Sequence, residues 1–152
     1  EALAGGEEVE AAVQRHASVA ASGPIVANRA SIDAAFSGTS VGEIVARLNA
    51  DGSAFAQDAA KAIAQKSPTS LAVALRQMQV GAGLDFEEAM RTEFRIVSRI
   101  CRGPDFYEGV RATIIDKDQK PAWKPARIED VSTSAIDAIF APLGADELAF
   151  AR

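Results

Sequence analysis

Helix punctuation recurs at short intervals along this chain and constrains its fold more than any other feature. Ser40-x-x-Glu43 is a capping box, in which a hydroxyl and a carboxylate satisfy free N–H groups of a first helical turn. Ser67-Pro68 joins a cap to proline at the first helical position, where the missing N–H costs nothing. Asp85 with Glu88 and Ser132-Thr133 repeat the signal, and Gly103-Pro104 closes the helix before it. Between these marks apolar residues fall at three- and four-residue spacings, the period of a helix with one buried face. No alternation of strand and helix supports a parallel sheet. The pattern predicts an all-α array of about seven or eight helices.

Residues 7–21, with Val9, Ala12, Val13, His16 and Ala17 in one stripe, read as an amphipathic helix that Gly23-Pro24 ends. Ser31 caps a short helix carrying Ile32, Ala35 and Phe36. Residues 41–50 and 53–66 are the next two, separated by the turn at Asp51-Gly52. After Ser67-Pro68 the buried face is Leu71, Ala74, Leu75 and Met78, stopped by Gly81 and Gly83. The longest helix carries Phe86, Ala89, Met90, Phe94, Val97, Ile100 and Cys101. Asp105 and Glu108 open a short one. Ala112 to Ile115 is the one strand-like run, and 116–128 reads as an extended loop bounded by Pro121 and Pro125. A last helix carries Ile136, Ile139, Phe140 and Leu143. The organisation expected is one helical domain: a connecting helix and linker over 1–30, a body over 31–143 and a tail over 144–152.

The 152 residues suffice for one domain with one core, and their 48% hydrophobic and 24% charged content is that of a globular chain. A net charge of −5 argues against a nucleic-acid or anionic-membrane partner, since either requires a positive field. Cys101 is the one cysteine, which points to a reducing, intracellular setting and to a small buried hydrophobe. There is no apolar run long enough to cross a membrane and no secretory pattern at the start, so a cytoplasmic location is expected. The first residue, Glu1, fits a processed product or a piece of a longer polypeptide.

The usual catalytic constellations are absent. One His and one Cys give no His/Cys metal cluster, so no metal site is expected. Gly81-x-Gly83 follows a helix rather than a strand and is too short for a dinucleotide fingerprint. Asp85, Glu87 and Glu88 gather at a helix start, where the macrodipole favours negative charge. Glu93, beside Met90, Phe94 and Val97, is expected to form an ion pair with Arg91, Arg95 or Arg99. Arg95, Arg99, Arg102 and Arg111 make a basic side that serves either paired solvated charges or phosphate capture. The segment Asp116 to Pro125 is the most unusual, with Lys117, Lys120, Lys124 and the single Trp123 in a proline-bounded loop. Either Trp123 anchors the loop to the helices, or the loop offers an aromatic ring and cations to a nucleotide-like ligand.

Four segments occur in order: Ser67-Pro68-Thr69-Ser70-Leu71; Glu93-Phe94-Arg95; Asp105-Phe106-Tyr107-Glu108-Gly109-Val110-Arg111-Ala112; and Ile115-Asp116-Lys117-Asp118-Gln119-Lys120-Pro121-Ala122-Trp123-Lys124-Pro125. The series resembles the C-terminal region of 3-hydroxyisobutyryl-CoA hydrolases and related members of the enoyl-CoA hydratase/isomerase (crotonase) superfamily. The resemblance is strong over 67–125, and a weaker one extends upstream through Ile32 to Leu48 and downstream to Leu143. It implies an enzyme that hydrolyses the thioester of 3-hydroxyisobutyryl-CoA in valine breakdown, with the alternative of enoyl-CoA hydration. Family members hold the acyl group in a β-rich core, where two backbone N–H groups form an oxyanion hole. No sequence like that core occurs here, so no catalytic residue is assigned to this chain. The helices are expected to cover the active site or make subunit contacts. No cofactor is implied beyond CoA as part of the substrate. Lys117 is the residue that the resemblance points to for CoA phosphates, with Arg111, Lys120 and Trp123 as further candidates. The remaining expectations are self-association and, in a eukaryote, a mitochondrial matrix location. A helical oligomerisation module without a ligand role is the reading from another class.

Overall fold

The computed structural model describes residues 8–18 and 23–150. Among them are nine α-helices and no strand, joined by short turns and one long loop. The first, α1 (Val9–His16), buries Ala12 and leaves Val9 and Val13 exposed. It ends at Ala17, and residues 7 and 19–21 of the longer helix expected lie outside the described residues. Gly23-Pro24 opens α2 (Pro24–Ala27) rather than ending a helix, because proline supplies a helical φ and needs no N–H partner there. At the corner, the Asn28 side-chain amide donates to the Pro24 carbonyl at 2.8 Å, and α3 (Arg29–Phe36) begins two residues before the predicted cap Ser31.

The capping box forms with its return bond going to the residue before the cap. Ser40 Oγ accepts from the Glu43 N–H at 3.1 Å, and the Glu43 carboxylate accepts from the Thr39 N–H at 2.7 Å and its hydroxyl at 3.0 Å. Helix α4 (Val41–Asp51) then runs to Gly52, whose φ of 69° is the left-handed conformation a side chain would resist. Ser53 caps α5 (Ala54–Ala64) at once. Tight reversal brings Leu48, which is fully buried, against Ala35, Ile44 and Ala56, with Ile63 and Leu75 around them.

Ser67 caps α6 (Pro68–Gly81) and Asp85 caps α7 (Phe86–Ile100), each accepting the N–H three residues on. A second cluster joins Val73 of α6, Ile96 of α7 and Ile136 of α9 (Thr133–Phe140), with Ile100, Val131 and Ile139 around it. The buried faces of α6 and α7 therefore differ from those predicted. Met78 and Phe86 are each 76% exposed and Val97 is 50% exposed, whereas Val73, Thr92 and Ile96 are buried. The apolar stripe on α7 spans more than one side, and the two-helix contact with α6 and α9 covers only part of it.

Helix α8 (Pro104–Val110) does not give way to a strand. Arg111–Ile115 continues it as a π-helical turn, in which the Asp116 N–H reaches the Arg111 carbonyl at 2.8 Å. The β-branched run Thr113-Ile114-Ile115 is overridden because no neighbouring strand exists to pair with it. Ile128–Asp130 forms a 3-10 turn starting at the last residue of the region read as extended, and Gly144–Asp146 forms another in the tail. Cys101 is half-buried past the end of α7. No helix among the described residues is long and apolar enough to cross a membrane.

Candidate functional site

Helix α8, the π turn and the loop to Pro125 fold onto one another through a single hydrogen-bond network. Glu108 is its centre. Its carboxylate accepts a two-pronged contact from the Arg111 guanidinium, at 2.9 and 2.8 Å, and the Ala122 N–H at 2.7 Å. These donors, the Arg111 guanidinium foremost and the Ala122 amide next, hold the Glu108 carboxyl down at about 2. Arg111 also donates to Asp116 at 2.7 Å, to Asp118 at 2.8 Å and to the Lys120 carbonyl at 3.1 Å. One guanidinium thus pairs with three carboxylates and grips the loop by its backbone.

Asp105 holds the far end. It accepts the Ser67 hydroxyl at 2.5 Å and the Lys124 N–H at 2.8 Å, linking the start of α6 to the loop. Trp123 closes the arrangement: its indole N–H donates to the Gln65 carbonyl at 3.1 Å. Its ring lies over Gly109, where an added Cβ would stand 3.3 Å from the ring carbon Cη2. The anchoring role weighed for this tryptophan is what the geometry contains.

Lys117 and Lys120 sit differently on the same loop. Lys117 takes a positive φ of 56°, as does Gln119, whose N–H bonds the Ala112 carbonyl at 3.1 Å. Lys120 is fixed at both backbone groups, its N–H bonded to Asp118 at 2.8 Å and its carbonyl to Arg111. Both lysines are exposed. The structure thus places Lys117, Lys120 and Trp123 on one loop and Arg111 at the start of the π turn before it, with the guanidinium turned to carboxylates.

The other arginines of the predicted basic side divide between solvent and contacts to the end of α9 and the residues after it. Arg99 donates to the carbonyls of Ile139 and Pro142, at 2.9 and 3.2 Å. Arg95 pairs with Glu147 at 2.8 Å, and Glu147 also accepts the Leu143 N–H at 3.1 Å. Burial pushes the Glu147 carboxyl up, but Arg95 and that amide outweigh it and the net shift is downward. Arg91 pairs with Glu88 and Glu87, reaches the Leu148 carbonyl and lies 5.1 Å from the Phe150 ring centre. Arg102 is exposed. Glu93 is not the ion-paired residue expected, since the side-chain amide of Gln77 on α6 serves it instead.

Sequence reasoning missed the loop work of Asp105 and Glu108, which read as helix openers. The signal was there: two acids three apart precede a loop whose amides need acceptors. It missed Gln65, since a backbone carbonyl carries no residue signature.

A family model described as Enoyl-CoA hydratase/isomerase matches residues 2–140. Among curated proteins, the chain is 48% identical over 117 residues to a mitochondrial 3-hydroxyisobutyryl-CoA hydrolase of Gallus gallus, covering 77% of this chain and 30% of that protein. The human protein of the same name is 43% identical over 119 residues, covering 78% and 31%. The chain thus spans about a third of the length of these relatives. Among solved structures, a carnitinyl-CoA dehydratase from Mycobacterium thermoresistibile is similar with a TM-score of 0.85 and 34% identity, over 93% of this chain and 41% of that one. An enoyl-CoA hydratase from Rhodobacter sphaeroides 2.4.1 follows with a TM-score of 0.81 and 34% identity, over 93% and 44%. Similarity covering nearly all of this chain, in sequence and in fold, leads to one conclusion: the chain belongs to the enoyl-CoA hydratase/isomerase family.

Proposed function

We propose that this chain is the helical C-terminal portion of an acyl-CoA thioester hydrolase acting on 3-hydroxyisobutyryl-CoA. The observation that carries the reading is the 48% identity with the Gallus gallus protein of that name. Hydrolysis of the thioester needs an oxyanion stabiliser and acid–base carboxylates. In this reading they belong to the rest of the longer protein, and the helical portion covers the acyl-CoA and faces its CoA end. The loop from Asp116 to Pro125 is the part that meets CoA, through Lys117, Lys120 and Trp123. Arg111 contributes by holding that loop, since its donors already serve Glu108, Asp116 and Asp118. Because the relatives are named mitochondrial, a matrix location follows if the source is eukaryotic.

Enoyl-CoA hydration is the second reading, favoured by the dehydratase and hydratase names of the two structural neighbours at 34% identity. The test is a longer chain carrying these residues in place, given both substrates. Release of free CoA thiol from the 3-hydroxyacyl thioester supports hydrolysis. Loss of the conjugated enoyl absorbance with no thiol released would instead establish hydration. Residues 1–152 alone are expected to release no thiol. If Lys117→Ala in the longer chain leaves CoA affinity unchanged, the part assigned to Lys117 is wrong, and the helices fit a non-catalytic oligomerisation module better.

A further inference from the structure

A cleft of about 350 Å³ opens where the two core clusters meet, a size within the range of small-molecule sites. Leu75, which packs on the first cluster, lines it together with Val131 and Ile136 of the second and with Val41 at the start of α4. Arg76 of α6 and Asp137 of α9 add the two opposite charges. We propose that this cleft binds a small zwitterion with an apolar tail, an α-amino acid of about the size of leucine. The ligand's carboxylate meets the Arg76 guanidinium, its ammonium group meets the Asp137 carboxylate, and its tail lies among the apolar side chains.

Charge decides the class of ligand. Arg76 and Asp137 face each other from two helices with 3.8 Å between Nη2 and Oδ1, a contact too long for a hydrogen bond. Among the described residues neither side chain has a hydrogen-bond partner, and both are about half-exposed. The guanidinium therefore keeps its fork of donors, and the carboxylate its acceptors, for a ligand. Glu129 also lines the cleft, but it is already paired with Arg127 at 3.2 Å. A carboxylate without an ammonium group is repelled by Asp137, and an amine without a carboxylate by Arg76. A zwitterion answers both charges at once. The apolar residues set the second requirement, a tail of several carbons whose burial stabilises the complex. The cleft is shaped before any ligand arrives. The Gln79 side-chain amide donates to the Thr39 carbonyl at 3.0 Å, and this bond between two lining residues joins α6 to the turn before α4. A ligand seated there touches both clusters and ties them together, as an effector does. No residue of the cleft belongs to the loop assigned to CoA, and the inference stands without that assignment.

Ligand-observed NMR titration of the 152-residue chain reads such binding directly. The probe is L-leucine. Its comparators are 4-methylpentanoate, which lacks the ammonium group, 3-methylbutylamine, which lacks the carboxylate, and L-alanine, which lacks most of the tail. Saturable leucine binding is expected, with a dissociation constant between about 0.1 and 1 mM. Each comparator should bind about tenfold more weakly, as loss of one charged contact or of part of the tail implies. Arg76→Gln and Asp137→Asn should each weaken leucine about tenfold, and Arg76→Gln should also remove the disadvantage of the amine. Arg102→Gln, the same change on an exposed residue after α7, should leave leucine binding as it is. Far-ultraviolet circular dichroism confirms that each variant is folded, and leucine should raise the thermal midpoint of the parent. Absence of saturable leucine binding up to about 10 mM overturns the proposal. So does a singly charged comparator that binds as tightly as leucine, or a pair of folded variants that bind leucine as the parent does. None of these results bears on the thioester test above, which reads thiol release by a longer chain.

Discussion

Three hydrogen bonds converge on the Glu108 carboxylate, and their loss on protonation makes this loop sensitive to acid. The folded value of about 2 lies below the ordinary 4.5. A carboxyl lowered in this way stabilises the fold fully above its unfolded value, and that contribution disappears as pH falls through the folded value. Urea midpoints of the parent and of Glu108→Gln should therefore differ most above about pH 4.5 and converge toward pH 2. A gap that stays constant across that window would show that the carboxylate is not what Glu108 contributes. Gly109 gives a second residue-scale prediction. An added methyl would meet the Trp123 ring at 3.3 Å, while a helical Gly→Ala change gains about 0.5–1 kcal/mol. Gly109→Ala should thus change overall stability by less than about 1 kcal/mol yet shift Trp123 emission to the red as the indole is displaced. Unshifted emission would mean that the ring accommodates the methyl without moving. The sequence carried the density of lysines and the lone tryptophan, and so marked the loop. It could not carry the partner of Trp123, a main-chain oxygen 58 residues earlier, because any residue supplies one.

At the scale of elements, the starts of α4, α6, α7 and α9 were legible because Ser40, Ser67, Asp85 and Ser132 each perform the capping chemistry their side chains suggest. Ser67 does two jobs, accepting from the Ser70 N–H and donating to Asp105. Its replacement by alanine should cost about 1–2 kcal/mol in chemical denaturation, at the upper end for a cap because Asp105 loses a donor as well. Leu48→Ala, in the middle of α4 and fully buried, should cost about 2–5 kcal/mol. A loss below 1 kcal/mol at Leu48 would place the core elsewhere. The π turn after α8 was not legible. Thr113, Ile114 and Ile115 favour a strand in isolation, but the helix before them sets the backbone course, and Ile114 and Ile115 are left exposed. The face of α7 was misread for a related reason. Periodicity shows that a helix has an apolar side, but not which part of a broad one its neighbours will cover.

For the whole molecule, the family was readable from the segments between Ser67 and Pro125, and the all-α architecture from caps and spacing. What could not be read was how much apolar surface remains open. Met78, Phe86, Met90 and Val97 are all exposed on α6 and α7. Contiguous apolar surface promotes association, so sedimentation of the 152-residue chain should show a coefficient that rises with concentration. A constant monomer value would refute this. The arginines of α7 have a different bearing on the molecule. Arg91 holds the tail by the main-chain oxygen of Leu148, and Arg99 holds the end of α9 and the turn after it by those of Ile139 and Pro142, which every residue type would present. Shape is thereby uncoupled from spelling. A substitution library should tolerate wide variation at exposed tail positions such as Ala145 and Asp146, while rejecting most replacements of Arg91 and Arg99 in the helix that holds the main chain on either side of them.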